Sequence, residues 1–377
     1  MTVKKLMKMI GLFFLGLTVL LVGGGFLFIK LSPEFGGKLS AEQLEAYQSL
    51  DHFEDGKFVN LVSTSMDMSA GQMVSLLGEF IRGVPNGAPD TPLAVLKLDP
   101  AEITRRPDTL TRVTWFGHSA VLLEMDGQNI LLDPMLGPVP APHPWLGSQR
   151  FTESLPLTIE QLPAIDAVLI SHDHYDHLDY GSIQQLKEKT RHFYVPLGVG
   201  AHLRAWGIAD SAIHELDWWD TASFNTVQLV FAPTRHFSGR GLTDRNATLW
   251  GSWVVEGARH KLYFSGDGGY GPHFSEIGER YGPFDLAMIE CGQYNKKWAQ
   301  IHMMPEESAQ AAVDLRAYRM MPIHWGTFRL ALHSWTDPAD RVTVAAKALS
   351  VPITTPRIGE VVTLNDDIWP QQSWWAE

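Results

Sequence analysis

The most informative stretch of this sequence reads Ser171-His172-Asp173-His174-Tyr175-Asp176-His177-Leu178-Asp179. It directly follows a short apolar run of the kind that forms a strand buried on both faces. Strand ends and the loops after them are where α/β folds place functional groups. His172 and His174 share one side of an extended chain, and Asp176 and His177 can face the same space after a turn. A polar loop of hydrogen-bonded histidines is the alternative, but this density of ligand types favours a site for two metal ions.

Three more candidate ligands lie downstream, each shortly after a predicted strand. His236 follows the strand at 227–232, Asp267 follows the strand at 261–264, and His324 follows another short apolar segment. Each of these residues alone could be structural. Their order and their common position after strands indicate that they belong to one site with the first stretch.

The region after residue 110 contains many strand-like segments and fewer helical ones. The predicted strands are 112–116, 121–124, 129–133, 164–170, 227–232, 253–256, 261–264 and 286–289, and the predicted helices are 182–188 and 305–318. Because the strands come in runs with helices inserted later, we predict an α/β fold in which packed sheets are covered by helices.

The composition narrows both the class of protein and the kind of metal site. The chain has 377 residues, of which 45% are hydrophobic, a normal share for a globular protein. Its net charge of −12 argues against a nucleic-acid binder, because phosphate contacts need clustered Lys and Arg. Cys291 is the only cysteine, which excludes an intrachain disulfide and a thiolate-rich metal site. A transition metal would therefore be bound by imidazole and carboxylate groups.

The N-terminus predicts a membrane anchor. Lys4, Lys5 and Lys8 precede an uncharged run at residues 9–29, which is about 31 Å long as a helix and can cross a bilayer. The apolar run continues past the small residues at which a signal peptidase would cut, so an uncleaved signal anchor is favoured over a cleaved export signal. The positive-inside rule keeps the lysines in the cytoplasm and places the rest of the chain on the extracytoplasmic, periplasmic side.

We predict three parts along the chain. Residues 1–30 form the cytoplasmic tip and the signal-anchor transmembrane helix. Residues 31–110 form an N-terminal arm, with helical patterns at 41–50 and 73–81 and repeated prolines afterwards, which packs over the main domain. Residues 111–377 form that main domain, which carries every candidate ligand.

The pattern His-x-His-x-Asp-His after an apolar strand is the signature of the metallo-β-lactamase superfamily, which the chain resembles from about Thr111 to its end. The resemblance implies a hydrolase domain that folds as an αββα sandwich and binds two divalent metal ions. It assigns the ligands as two triads with one shared residue, namely His172, His174 and His236 for one ion, Asp176, His177 and His324 for the other, and Asp267 as the bridge. Nitrogen and carboxylate ligands suit zinc, with manganese and iron as alternatives. Two such ions supply an activated water molecule and hold the substrate's oxygens.

Four further segments narrow the resemblance to one branch of the superfamily. Segments 115–119, 216–220, 265–270 and 322–328 together look like the branch that contains the N-acylphosphatidylethanolamine-hydrolysing phospholipase D and its bacterial relatives. That resemblance implies a zinc-dependent enzyme that cleaves the phosphodiester bond between phosphatidic acid and an N-acylated ethanolamine.

The resemblance also points to two catalytic residues, His302 and the bridging Asp267. Pro305 with two glutamates behind it is typical of a helix start, and His302 lies just before that start. From there His302 can contact an anionic phosphate or protonate a leaving oxygen, and the alternative is a histidine that only caps or packs. His118 is expected either to support the ligands or to form a structural hydrogen bond, and Asp133 to order the loops below the site.

These observations predict a membrane-anchored binuclear metal-dependent hydrolase, and the resemblance implies a phosphodiesterase of N-acylphosphatidylethanolamine-like phospholipids. One alternative is hydrolysis of a lactone, an amide or another ester at the same site. A second alternative is a metal-binding envelope protein without turnover, although degenerate binders tend to lose ligands and this set is complete. The predicted partners are a phospholipid or another small ester substrate and the membrane, with no nucleic acid.

Overall fold

The structure, a computed structural model, describes residues 2–65, 69–104 and 107–377. The helices in these ranges are α1 (Val3–Leu31), α2 (Ala41–Tyr47), α3 (Ala70–Arg82), α4 (Pro100–Thr104), α5 (Tyr180–Leu186), α6 (Gly200–Ala205), α7 (His273–Arg280), α8 (Pro305–Asp314) and α9 (Asp337–Ala348). The strands are β1 (Phe53–Glu54), β2 (Lys57–Phe58), β3 (Arg112–Trp115), β4 (Val121–Met125), β5 (Gln128–Leu132), β6 (Ile165–Leu169), β7 (Thr190–Pro196), β8 (Ile213–Leu216), β9 (Thr221–Phe224), β10 (Val227–Ala232), β11 (Ser252–Glu256), β12 (Lys261–Phe264), β13 (Leu286–Glu290), β14 (Met320–Ile323) and β15 (Val361–Thr363).

Two mixed sheets form the centre of the main domain. The seven-stranded sheet has the order β15-β3-β4-β5-β6-β7-β8, and the six-stranded sheet has the order β14-β13-β12-β11-β10-β9. Strands β5 to β8 run parallel to one another, as do β12 to β14, and the remaining neighbours within these two sheets are antiparallel. β1 and β2 form a separate hairpin in the arm.

Side-chain alternation explains how a sheet can be covered on both faces. In β4, Val121 and Leu123 belong to an apolar cluster that fills the space between the sheets and continues beneath α7, α8 and α9. Leu122, which points the other way, belongs to a second cluster on the outer face of the seven-stranded sheet, beneath α5 and α6. Helices therefore cover both outer faces, and the predicted αββα fold class is confirmed.

The predicted strands are all present, with bounds that differ by at most one residue. The predicted helix at 305–318 ends earlier, at Asp314, and the one at 182–188 continues as a short 3₁₀ turn. Seven strands lie outside the predicted set: β1, β2, β7, β8, β9, β14 and β15, of which β14 coincides with the short apolar segment noted before His324. They are short or carry polar and exposed residues, as in the start of β7 with Arg191, so their hydrophobic pattern is weak.

The arm packs against the main domain along most of its length. Phe53 and Phe58 enter the central apolar cluster from the β1–β2 hairpin. The backbone N–H of Leu93 donates to the Phe151 carbonyl at 2.8 Å, a contact that fixes the later part of the arm. The division of the chain at residues 30 and 110 stays a prediction.

Helix α1 contains the predicted apolar run and extends beyond it at both ends. It is long and apolar enough to cross a membrane, and none of its residues is buried against the rest of the protein. Such a helix could anchor the chain to a membrane.

Candidate metal centre

The candidate ligands meet because they follow strand ends at the facing edges of the two sheets. Strands β3, β5 and β6 share one direction in the seven-stranded sheet, and β10, β12 and β14 share one direction in the six-stranded sheet. The residues that shortly follow these six ends are His118, Asp133, His172, His236, Asp267 and His324. Residues far apart in sequence are thereby brought into one cluster.

The first predicted triad, His172, His174 and His236, is assembled around one point. Nδ1 of His174 lies 2.8 Å from Nε2 of His172 and 3.3 Å from Nε2 of His236. The opposite ring nitrogens have other partners, since Nδ1 of His172 contacts the Ser171 hydroxyl at 2.9 Å and Nδ1 of His236 donates to the Ile301 carbonyl at 2.8 Å. These partners hold the rings so that three nitrogens converge, which is how proteins orient imidazole ligands.

The second predicted triad, Asp176, His177 and His324, lies beside the first. Oδ2 of Asp176 is 3.7 Å from Nε2 of His177 and 4.0 Å from Nε2 of His324. Asp267 lies between the triads, because its Oδ2 is 3.1 Å from Nε2 of His177 and 3.8 Å from Nε2 of His172. Its Oδ1 is 3.1 Å from Nδ1 of His324.

Two atoms of this cluster indicate that a cation belongs there. Nε2 of His177 and Oδ1 of Asp267 are buried, and although each lies 3.1 Å from an atom of another candidate ligand, neither has a partner with hydrogen-bond geometry among the described residues. Buried polar atoms without a partner are costly, and a metal ion would satisfy both. The donor set of imidazole nitrogens and carboxylate oxygens also suits a divalent metal.

The electrostatics of the cluster point the same way. Burial, reinforced by the neighbouring imidazoles, holds the pKa of His172 well below its ordinary value, and the pKa of His236 is lowered for the same reasons. These rings are therefore neutral, the form that binds metal. Burial alone would also lower the pKa of His177, but the carboxylates of Asp267, Asp176 and Asp133 outweigh it and raise that pKa well above its ordinary value. These three carboxylates therefore favour a positive charge at the position of His177.

Asp133 supports the ligand loop from below, as the sequence predicted. It accepts hydrogen bonds from the backbone N–H of Ser171 at 2.7 Å and from the Ser171 hydroxyl at 2.5 Å. Its Oδ2 lies 2.6 Å from Nδ1 of His177. This contact places the Nδ1 proton of His177 toward Asp133 and leaves Nε2 facing the other ligands.

His118 contacts the second triad, which answers the question left open by the sequence. Its Nε2 lies 3.0 Å from Oδ2 of Asp176, and its carbonyl accepts a hydrogen bond from the backbone N–H of His324 at 2.9 Å. His118 therefore orients two candidate ligands. His324 itself adopts a φ of 66°, a left-handed conformation that is unusual for a residue with a side chain.

His302 lies at the edge of the cluster with a buried acidic partner. Its ring centroid is 5.1 Å from that of His236 and 5.3 Å from that of His324. Its Nδ1 lies 2.8 Å from Oε2 of Glu290, whose side chain is fully buried. The predicted helix start at Pro305 is confirmed, with His302 just before it.

Glu290 was not singled out from the sequence. The available signal was its position at the end of the apolar strand β13, the same kind of position that identified the other candidates. Asn60 in the arm was also not identified. It donates to the His236 carbonyl at 2.7 Å and accepts from the His236 N–H at 3.1 Å, so the arm fixes one candidate ligand.

A family model of the beta-lactamase superfamily domain matches residues 128–325, a range that contains every predicted metal ligand and His302. An uncharacterized protein of Mycobacterium tuberculosis is 42% identical over 331 residues, which cover 86% of this chain and 87% of that protein. An N-acyl-phosphatidylethanolamine-hydrolyzing phospholipase D of Caenorhabditis elegans is 33% identical over 242 residues, which cover 61% of this chain and 68% of that protein.

A solved structure supports the fold independently. The isothiocyanate hydrolase from Delia radicum gut bacteria aligns with a TM-score of 0.53 at 20% identity, and the alignment covers 67% of this chain and 98% of that chain. At this identity the likeness concerns the fold alone. Taken with the family match and the relatives, it identifies the chain as a metal-dependent hydrolase of the metallo-β-lactamase superfamily, in the branch of the N-acylphosphatidylethanolamine-hydrolysing phospholipases D.

Proposed function

We propose that the chain binds two divalent metal ions and hydrolyses the phosphodiester bond of phospholipids of the N-acylphosphatidylethanolamine type. The observation that carries this proposal is the position of Asp267. Its Oδ2 lies 3.1 Å from Nε2 of His177 in one triad, and 3.8 Å and 3.9 Å from Nε2 of His172 and His236 in the other. One carboxylate therefore borders both triads, as a ligand shared by two ions would. Zinc fits this donor set best, and manganese or iron would also fit.

Phosphodiester chemistry suits both the ions and the chain's own residues. Bound at these triads, two ions would activate a water molecule and hold the phosphate oxygens. The site is partly open where His174, Asp176 and His302 are incompletely buried. Phe237 lies at this opening, with its ring centroid 4.5 Å from that of His174. An apolar ring beside a polar centre suits a substrate that carries acyl chains next to its phosphate.

His302 is the residue suited to assist the leaving group. Burial alone would lower its pKa, but the charge and the hydrogen bond of Glu290 outweigh burial and raise the pKa above its ordinary value. His302 therefore holds a proton near neutral pH. With Nδ1 directed at Glu290, Nε2 is left to bind a phosphate oxygen or to protonate the ethanolamine oxygen as its bond to phosphorus breaks.

We propose that α1 anchors the enzyme as a single-pass signal anchor, with the catalytic domain on the extracytoplasmic side. Lys4, Lys5 and Lys8 precede the apolar part of α1, which agrees with retention of its N-terminal end in the cytoplasm. An anchor confines the enzyme to the surface that contains its lipid substrate.

The proposed function is tested by comparing three substrates with the zinc-loaded, full-length protein. We expect N-acylphosphatidylethanolamine in mixed micelles to yield phosphatidic acid and an N-acylethanolamine, identified by mass spectrometry. An acyl lactone and a soluble aryl phosphodiester are the comparison substrates. Turnover of the lactone without lipid cleavage would replace the proposal with the lactone alternative. A protein with two bound zinc ions that is inert on all three would favour a binding role.

A further inference from the structure

The end of α1 is fixed to the catalytic domain. The carbonyl of Pro33 accepts a hydrogen bond from the indole N–H of Trp206 at 2.7 Å. The carbonyl of Glu34 accepts from Nε of Arg240 at 2.8 Å, and Arg240 is itself buried. The segment that leaves the helix therefore has a defined position on the domain, so the orientation of the domain relative to a membrane containing α1 is restricted.

Exposed apolar side chains surround this exit. Phe28, in the last turns of α1, packs its ring against His143, and His143 packs against Trp145. Trp145 is 88% exposed, and the adjacent Leu146 is also exposed. On the turn that begins with Arg240, Leu242 is 84% exposed. Large apolar side chains this exposed, beside the end of an apolar helix, are what membrane interfaces cover.

Helix α3 presents a second exposed apolar surface. Its inner face, with Leu76 and Phe80, packs on Trp298 and Ile301. Its outer face consists of side chains at helical spacing that are 58–78% exposed, namely Met73, Val74, Leu77 and Ile81. No described residue covers this face. An amphipathic helix with this pattern is suited to lie in the interfacial region of a bilayer.

Both surfaces border the opening of the metal centre. Phe35, just after α1, packs its ring against Tyr175, which lies between the candidate ligands His174 and Asp176. On the side of α3, Phe237 belongs to the cluster beneath that helix and packs against His174. The neighbouring residues His174 and Tyr175 therefore connect the two surfaces, and the partly exposed ligands lie between them.

We propose that the opening of the metal centre rests on the membrane that α1 spans, with the outer face of α3 inserted at the level of the lipid headgroups. This inference rests on the membrane anchoring in the proposed function. The occupant of both apolar surfaces is the bilayer, because the first adjoins the end of the apolar helix and both border the same opening. In this arrangement a phospholipid reaches the metal centre sideways from its own leaflet, and its acyl chains do not cross water.

The test places a fluorescent label on α3 and measures its quenching by lipid. Leu77 is exposed in α3, so the thiol introduced by Leu77→Cys can be labelled. The native Cys291 is fully buried, which restricts labelling of the folded full-length protein to the introduced thiol. The labelled protein is reconstituted in vesicles of phosphatidylethanolamine and phosphatidylglycerol that contain a phosphatidylcholine with a nitroxide near the headgroup. We expect strong quenching at Leu77→Cys. Val74→Cys, on the same face, is a second reporter that we expect to be quenched.

Two control positions make the result decisive. The first is Tyr318→Cys. Tyr318 is 62% exposed and lies just before β14, whereas His324 and the metal centre lie at the other end of that strand. A label at this position should therefore stay unquenched. Val19→Cys in α1 reports whether the anchor itself is inserted, and because Val19 lies near the middle of the helix, this label is measured in vesicles whose nitroxide is attached deep on the acyl chain. Unquenched labels at Leu77→Cys and Val74→Cys overturn the inference. Quenching at Val19→Cys in that case preserves the anchoring, whereas its absence removes the anchoring as well.

Discussion

Oε2 of Glu290 lies 2.8 Å from Nδ1 of His302, and this carboxylate is fully buried. Its other oxygen accepts hydrogen bonds from the backbone N–H groups of Met303 at 3.0 Å and Gly268 at 3.2 Å. Because backbone donors hold the carboxylate in place, the orientation of the His302 ring is fixed. Glu290 therefore determines both the orientation of the His302 ring and its protonation state.

Glu290→Gln should reduce turnover by about 10- to 100-fold, the usual effect of removing a partner that orients a functional group. Loss of the negative charge lowers the pKa of His302, which is raised by Glu290 in the native protein. If protonated His302 assists the reaction, the alkaline loss of activity moves to lower pH in the variant. The measurement is a pH–rate profile together with the metal content.

His302→Ala serves as the reference for this variant. It should lose about 10²- to 10⁴-fold in rate, as expected for removal of a general acid, while its metal content stays near normal. A Glu290→Gln profile that coincides with the native profile would show that Glu290 has no effect on the proton of His302. Loss of metal from His302→Ala would identify His302 as a ligand.

The sequence predicted those parts of the fold that have strong local patterns. The apolar run before His172 identified β6, whereas β9, with mostly exposed residues, had no such pattern. The ligands could be predicted from the sequence because one motif contains four of them. The contacts of Glu290 and Asn60 could not be predicted, because each depends on a partner that only the tertiary structure brings close. Asn60 and His236, for example, are 176 residues apart. No local pattern encodes such a pairing.

His174→Ala should remove one metal ion and abolish activity, because the first triad would keep only His172 and His236. We expect the metal content to fall from two ions to one per chain, measured by plasma mass spectrometry after dialysis. His192→Ala is the matched control, since that histidine contacts His214 in the β7–β8 region and belongs to neither triad. Retention of two ions by His174→Ala would contradict the ligand assignment.

The topology can be tested with reporters at the C-terminus. A phosphatase fused after Glu377 should be active, because it folds only outside the cytoplasm, and a fluorescent reporter that matures only in the cytoplasm should be dark. The prediction follows from the three lysines that precede the apolar part of α1. Exchange of Lys4, Lys5 and Lys8 for glutamate should weaken this orientation. The opposite pair of signals in the native chain would place the catalytic domain in the cytoplasm.

Asp173, between two candidate ligands, should make stability depend on pH. Its carboxylate accepts hydrogen bonds from the backbone N–H of Gly239 at 2.7 Å and the Thr248 hydroxyl at 2.8 Å, and it lies 3.2 Å from Nε2 of His202. Burial alone would raise its pKa, but His202 and the backbone donor outweigh burial and hold the pKa well below its ordinary value. Ionised Asp173 therefore stabilises the folded chain above about pH 4, the pKa expected in the unfolded chain.

Asp173→Asn should lower the free energy of unfolding by about 2 kcal/mol at neutral pH, the scale of hydrogen bonds to a charged group. Because the native pKa lies below the unfolded one, this contribution is lost as pH falls below about 4, and the two proteins should then converge in stability. Urea unfolding in detergent with a metal chelator measures the difference without the effect of bound ions. A difference that stays constant from neutral pH to about pH 3 would show that the charge of Asp173 does not stabilise the ligand loop.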